Sequence, residues 1–568
     1  MSSLDWFILC FSLFGIIAYG IYKTRNIQDK DSFLKGNEHG KWWTVCLGVM
    51  ATQASGITFL STPGQGYSDG LRFVQFYLGL PIAMLIICIT FIPKFFYSGV
   101  YTAYEYLEKR FDLKTRLLTS FLFLIQRGLG AGITLYAPAI IMSALFGWDF
   151  KWIVFISGIC VTLYTVTGGA SAVSKTQNLQ MGVMMLGLVF IFGFVLYELK
   201  GISFNQALQI AGWSHKMKAI DFHFDLNDRY NFWSGIIGGG FVALAYFGTD
   251  QSQVQRYLGG KSMNQSRLGL IANGIFKIPM QFFILLTGVM VFVFFQLNGA
   301  PLFFNKPIEN KIMQTSYAGE YQQKQQSLID IHAQKKAIQS QLLQHSAVKS
   351  DMIEQMDHLD KQETTIRNDA KTIIKKALPN TETNDRDYIF LYFVLNHLPM
   401  GLIGLLLAVV FSATMSSTSA ELSALAATMS IDWAQRLNVN KLSEGQVIRY
   451  TRWFTVFWGI FAVGFAWYAS LFENLIQFVN LVGSLFYGTI LGVFISAFYL
   501  KFLKGSAVFY AAIASEITVI TLNQTTKIGF LWYNLIGCAL VILLATLYSA
   551  FNGDLFNKST PETVKSLS

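Results

Sequence analysis

Charge is what this chain has least of. Asp, Glu, Lys and Arg make up 13% of its 568 residues, against roughly 25% in a soluble domain. That shortage excludes a string of soluble domains. Cysteine is scarce as well. Cys10, Cys46, Cys88, Cys160 and Cys538 all fall in apolar segments, without the spacing of a metal site or of a disulfide framework. The sequence carries no catalytic triad, no metal motif and no paired carboxylates within its apolar runs, so a membrane enzyme has no support. The formal net charge is +10, but the basic residues are scattered through short loops. That is the positive-inside pattern of a membrane protein, and no nucleic-acid partner is expected. The first apolar run, residues 4–22, lacks a basic start and a small-residue cleavage site, and reads as a retained helix.

What is present is a series of apolar runs of about 20 residues, each long enough to cross a bilayer. The expected fold is an all-α polytopic membrane protein with about 13 transmembrane helices. An extra helix lies near 4–22. Ten core helices lie near 42–67, 73–97, 116–146, 152–167, 170–199, 232–258, 268–297, 400–427, 448–470 and 474–500. Two more lie near 506–522 and 530–551. Lys23, Arg25, Lys30, Lys35 and Lys41 follow the first helix, and Lys109, Arg110, Lys114 and Arg116 follow core helix two. With Arg256, Lys261 and Arg267, then Arg436, Lys441, Arg449 and Arg452, they share one side if the N-terminus is outside and the C-terminus cytoplasmic. The expected organisation is residues 1–40, an extra helix and loop; 41–300, the first part of a helical core; 301–386, an extracytoplasmic insertion; 387–504, the rest of the core; and 505–568, two helices and a tail.

Two stretches carry chemistry. AVVFSATMSSTSAELSALAATMSID (408–432) is apolar yet rich in small hydroxyl residues. On a helix Ala413, Ser416 and Ser417 share a face. A carbonyl with two hydroxyls is a set of hard, neutral oxygen donors, suited to an alkali cation. Alternatively, small and hydroxyl residues simply form a packing face between membrane helices. ATQASGITFLSTPGQGYSDG (51–70) breaks a second run at Ser55-Gly56 and Pro63-Gly64. Irregular backbone at membrane depth is tolerated where it lines a cavity or is buried, and freed carbonyls there coordinate sodium in secondary transporters.

Together with GTDQSQVQR (248–256) and TVTGGASAV (165–173), these stretches resemble the sodium:solute symporter family, closest to the branch of iodide, multivitamin and monocarboxylate carriers and bacterial relatives. The resemblance runs from about Asp5 to about Lys504, interrupted by the insertion. It implies a five-plus-five inverted-repeat, LeuT-like core, in keeping with glycine-rich breaks at Gly56 and Gly248 in core helices one and six. It implies a sodium site of the Ala51, Ala54 and Ala413 carbonyls with the Ser416 and Ser417 hydroxyls, and Na+ as co-transported ion. Motif alignment with sugar and sialic-acid carriers places Thr58, Tyr77, Tyr246, Lys277, Gln477 and Asn480 around a solute, with Gln75 and Phe247 beside them. Tyr77 and Thr58 replace residues typical of hexose carriers, which argues against a hexose. Arg127, inside FLFLIQRGLGAG, matches a position holding a solute carboxylate in sialic-acid carriers; an arginine snorkelling to a headgroup is the other reading. Tyr246 matches the aromatic that covers the solute from inside, and could equally be a core tyrosine. Asp250, Gln251, Gln255 and Arg256 read as a structural and gating network.

The aspartate that two-sodium relatives carry past the TGG motif is here Gln177, and their helix-eight hydroxyls fall on Ser419 and Ala420. One sodium per cycle is therefore expected, with a Lys175–Glu421 pair across helices five and eight. The resemblance thus implies sodium-coupled symport of a small organic solute, anionic if Arg127 grips a carboxylate, in a plasma (inner) membrane, with no chemistry catalysed. A solute sensor and a proton-coupled symporter using Lys175 stay open. The insertion is expected to form an antiparallel helical hairpin turning near Ser346. Leu328, Ile331, Ile338 and Leu342, then Met352, Met356, Leu359 and Ile366, recur at helical spacing. Its histidines, His332, His345 and His358, fit no metal motif. It reads as a solvated projection, or as an arm for an extracytoplasmic partner.

Overall fold

The computed structural model describes residues 2–24, 29–36, 40–344, 350–379, 381, 383–438, 442–468 and 474–552. Among them the chain is helical throughout, with one isolated bridge between Gly40 and Gly260. In a bilayer no water satisfies backbone groups, so each apolar run closes its own hydrogen bonds. The helices used below are α1 (Ser3–Thr24), α2 (Trp42–Gln53), α3 (Gly56–Asp69), α4 (Leu113–Thr134), α5 (Tyr136–Phe146), α6 (Phe150–Glu198), α7 (Gly239–Thr249), α8 (Gln251–Leu258), α9 (Met263–Asn298), α10 (Ala318–Gln344), α11 (Ser350–Ala377), α12 (Arg386–His397), α13 (Leu402–Thr428), α14 (Glu444–Tyr468), α15 (Leu475–Tyr499), α16 (Gly505–Thr525) and α17 (Leu531–Phe551).

Nine stretches of the described residues are long and apolar enough to cross a membrane. One is α6, whose 49 residues at ~1.5 Å each exceed twice a 30 Å hydrocarbon core. It is two helices meeting at Gly169, which has φ 53° and ψ −144°. A side chain there would stand 2.6 Å from the Phe33 carbonyl, so glycine is required both by conformation and by space.

Two interruptions organise the core. Between α2 and α3, Ala54 leaves the helical region at φ −82°, ψ 78°. Between α7 and α8, Asp250 is extended at φ −77°, ψ 119° and caps α8 by accepting from the Ser252 amide at 2.9 Å. The second break thus falls two residues beyond Gly248, which is itself helical. An aspartate cap sets it, whereas Gly248 gives room for the Phe91 ring, 2.8 Å from where its Cβ would be.

The α13 helix runs through the bundle centre, packing on α2, α3, α4, α6 and α14. Its start is capped from α1: Asp5 Oδ1 accepts from the Gly401 and Gly404 amides at 2.7 and 2.9 Å. The α9 helix lies so close to α3 that a Cβ on Gly288 would sit 2.0 Å from the Pro63 carbonyl.

The insertion forms the expected pair of helices, α10 and α11. Lys324 pairs with Asp369 at 2.7 Å and Lys335 with Glu363 at 2.6 Å, so partners descend as α10 ascends, which is antiparallel packing. The turn near Ser346 and His345 lie outside the described residues. The hairpin is not a free projection. Leu342 belongs to the main apolar core, with Ile338 and Met352 packed against it. His215 of the core meets Asp357 at 3.0 Å, and Lys371 meets Asp385 at 3.1 Å. The apolar repeat that zips the two helices also extends onto the bundle, which helical spacing alone does not distinguish.

Candidate functional site

The break after α2 frees carbonyls. The Ser55 amide donates to the Gln53 carbonyl at 3.1 Å, and the Thr58 amide to Ser55 at 2.9 Å, so the regular helical partner of the Ala51 carbonyl is lost. The Ser416 hydroxyl on α13 donates to that carbonyl at 3.0 Å. Ser417 donates to the Ala413 carbonyl at 3.0 Å and to Thr414 at 3.3 Å. Ala51, Ala54, Ala413, Ser416 and Ser417 are all buried. The helices meet tightly, since a Cβ on Gly56 would lie 2.1 Å from the Thr414 hydroxyl. The result is a buried cluster of neutral oxygens at a helix break.

Beside it lies a cavity of about 110 Å³. Six of the nine solute residues expected from the sequence line it: Thr58, Tyr77, Arg127, Tyr246, Phe247 and Asn480. The other three are elsewhere. Gln75 ties down the outer loop, donating to Tyr230 O at 2.8 Å and accepting from the Asp221 amide at 2.8 Å. Lys277 is buried behind Tyr77, its nitrogen 6.0 Å from that ring. Gln477 lines an outer polar chamber of about 790 Å³ with Arg72, Lys216 and Arg386, accepting from Arg229 at 3.3 Å. The chamber and the cavity are separated by a polar seam. Asn474 and Gln477 donate to Gln65 Oε1 at 2.7 and 3.2 Å, joining α3 to the start of α15.

Arg127 neither snorkels nor offers an open fork. Its guanidinium is paired with Asp250, bonded to the Tyr487 hydroxyl, and 3.0 Å from Glu421. Glu421 therefore does not pair with Lys175. That lysine donates to the Lys23 carbonyl at 3.1 Å at the end of α1, because it faces the bundle exterior while Glu421 faces the cavity. Gln177 bridges to the Thr52 hydroxyl at 2.8 Å, and Ser419 receives the Tyr164 hydroxyl. Gln251 accepts from the Ala103 amide at 3.0 Å; Gln255 bonds Leu34 O and accepts from Arg256 at 2.6 Å. Gln53, Gln126 and Tyr487, which also line the cavity, were not anticipated. Gln126 had a signal: it stands beside Arg127 in the same apolar run, where any buried polar side chain is a candidate.

A helical membrane bundle with two interrupted helices around a buried polar cavity is the architecture of a membrane solute carrier. The chain belongs to the sodium:solute symporter family, whose family model matches residues 33–325. The sodium-coupled monocarboxylate transporter 2 of Bos taurus is 30% identical over 277 residues, covering 47% of this chain and 44% of that protein. The human sodium/iodide cotransporter is 31% identical over 270 residues, covering 47% and 41%. The chain thus spans less than half the length of these curated relatives. The sodium/sialic acid symporter of Aliivibrio fischeri is 23% identical over 561 residues, covering 96% and 93%. A solved structure of a Na+-coupled sialic acid symporter, substrate-bound and outward-open, matches with a TM-score of 0.75 at 20% identity, covering 97% of this chain and 98% of that one. That likeness shows the fold, a LeuT-like helical transporter bundle.

Proposed function

We propose that this chain is a sodium-coupled symporter that moves a small organic solute across the plasma (inner) membrane by alternating access, with its N-terminus outside and its C-terminus cytoplasmic. The observation that carries the reading is the Ser416 hydroxyl on the freed Ala51 carbonyl, 3.0 Å across the helix break. With Ala54, Ala413 and Ser417 it makes a donor set for a cargo sodium ion. A sodium there ties α2 and α3 to α13; its escape lets them separate, so the ion gates the bundle. Neutral donors keep that binding weak enough to release.

Solute fills the neighbouring cavity against Thr58, Tyr77, Tyr246, Phe247 and Asn480. The coupling energy is adequate. One charge crossing ~100 mV contributes about 2.3 kcal/mol, and a tenfold sodium gradient about 1.4 kcal/mol more. The anionic-solute reading loses its main support, because Arg127 is already engaged by two carboxylates. The docked insertion supports a role in roofing the outer chamber rather than in reaching for a partner protein. Uptake into proteoliposomes driven by an inward sodium gradient, compared with potassium and with a proton gradient, tests the assignment. Equal uptake under a proton gradient without sodium would refute it.

A further inference from the structure

Arg127 leaves a charge unanswered. Its guanidinium is shared by Asp250 and Glu421, two carboxylates for one cation. Asp250 is otherwise satisfied, accepting from the Ser252 amide at 2.9 Å and hydroxyl at 2.6 Å and from the Tyr487 hydroxyl at 3.0 Å. Glu421 is not. One oxygen meets Arg127; the Thr134 hydroxyl stands near the carboxyl but donates to the Gly130 carbonyl at 3.0 Å, and the second oxygen is buried with no hydrogen-bond partner. Glu421 is 5% exposed and lines the central cavity. Arg127 and Glu421 are the charged residues of that wall, and Lys277 stands behind Tyr77 rather than in it. Two further wall residues, Gln53 and Gln126, each leave the amide oxygen buried and unpaired. On that wall the unpaired oxygens, one carboxylate and two amide, outnumber the unpaired nitrogens, Arg127 Nε and Asn480 Nδ2, and the Arg127 cation is already shared with Asp250. Such groups are costly to bury unless something completes them. On the same wall Asn480 leaves its amide nitrogen unpaired, a donor for an acceptor on the same guest.

We propose that the solute carries a protonated amine, held by Glu421 with the Gln53 and Gln126 oxygens, and a hydrogen-bond acceptor facing Asn480. The inference rests on the central cavity being the solute site. Its chemical class is a small amino acid, amino alcohol or amine rather than a simple carboxylate. An inorganic cation at Glu421 would satisfy the same charge, and the test separates the two.

The purified protein is titrated at saturating sodium and constant ionic strength, with thermal unfolding as readout. The probes are methylammonium, then matched pairs: glycine against glycolate, alanine against lactate, and ethanolamine against ethylene glycol. Saturable stabilisation is expected from methylammonium and from one or more amine members, not from their partners. Glu421→Gln should weaken it about thirtyfold or more, whereas Glu421→Asp, which keeps the charge, should retain part of it. No stabilisation by any amine, preference for the hydroxy partners, or unchanged amine affinity in Glu421→Gln overturns the proposal. A sodium Hill coefficient falling from two to one in Glu421→Gln overturns it in favour of an inorganic cation. Loss of all sodium-dependent stabilisation in the wild-type protein would instead overturn the symporter reading, independently of the amines.

Discussion

Ser416 reaches across the helix break, whereas Ser417 turns back on its own helix. Ser416 donates to Ala51, 365 positions away, and Ser417 to Ala413, four positions away. Replacing Ser416 by alanine should therefore remove both an oxygen for sodium and the bridge from α13 to α2. Ser417→Ala should remove an oxygen alone. Each should raise the sodium concentration for half-maximal uptake about tenfold, the worth of one ligand at ~1.4 kcal/mol. Sodium titration of uptake reads it, and unchanged midpoints in both variants would remove the site. Arg127 carries a different prediction. Arg127→Gln leaves Asp250 and Glu421 buried and facing each other, at a cost of about 3–5 kcal/mol. Arg127→Lys keeps the charge but loses the fork and should cost less. Thermal unfolding of the two variants, without any solute, should rank lysine above glutamine; equal midpoints would contradict the charge cluster. The sequence marked Arg127 as a charge inside an apolar run and left snorkelling open; its burial is seen in the structure. The sequence did not show what holds it there, because Asp250 and Glu421 lie 123 and 294 positions away, and no local pattern links them.

The helices themselves were largely legible, and the breaks less so. Apolar runs end where the bilayer ends, so the last two core-flanking segments and α15 fall within a few residues of their expected limits. The break at Ala54 was marked by Ser55-Gly56. The one at Asp250 was displaced from Gly248, because a side-chain cap rather than a flexible residue sets it. Close helix packing is equally specific. A Cβ on Gly288 would meet the Pro63 carbonyl oxygen, a backbone atom that cannot swing aside. Gly288→Ala should thus part α9 from α3, costing about 1–3 kcal/mol, visible as a lower unfolding midpoint. In the hairpin, burial would raise the Glu363 carboxyl, but Arg367, His332 and Lys335 around it hold it well below the usual carboxylate range. A lowered folded-state value means stability that is full above the unfolded value, about 4.3, and lost as pH falls through the folded one. The pairing of α10 with α11 should persist at mildly acidic pH and loosen below pH ~4, as read by hydrogen exchange or limited proteolysis of the two helices. Glu363→Gln should weaken that pairing already at neutral pH, since it leaves the buried Lys335 with Asp360 as its remaining carboxylate partner.

For the whole molecule, the account predicts one sodium per cycle. The expected position of a second ion is filled by an amide, with Gln177 on α6 bonded to Thr52 on α2 at 2.8 Å. Ala420 offers no oxygen, and Ser419 is already taken by Tyr164. A low-dielectric site without a carboxylate is a poor place for a second charge. In the proposed function the same bundle couples that ion to a cavity whose wall is polar and which the Gln65, Asn474 and Gln477 seam separates from the outer chamber. The measurement that bears most directly on this coupling needs no knowledge of the solute: the unfolding midpoint of the purified protein titrated with sodium chloride against potassium and choline chloride. The account predicts a saturable rise with sodium alone, a Hill coefficient near one, and its loss in the Ser416→Ala, Ser417→Ala double variant. A midpoint indifferent to sodium, or a rise that survives in the double variant, would contradict it.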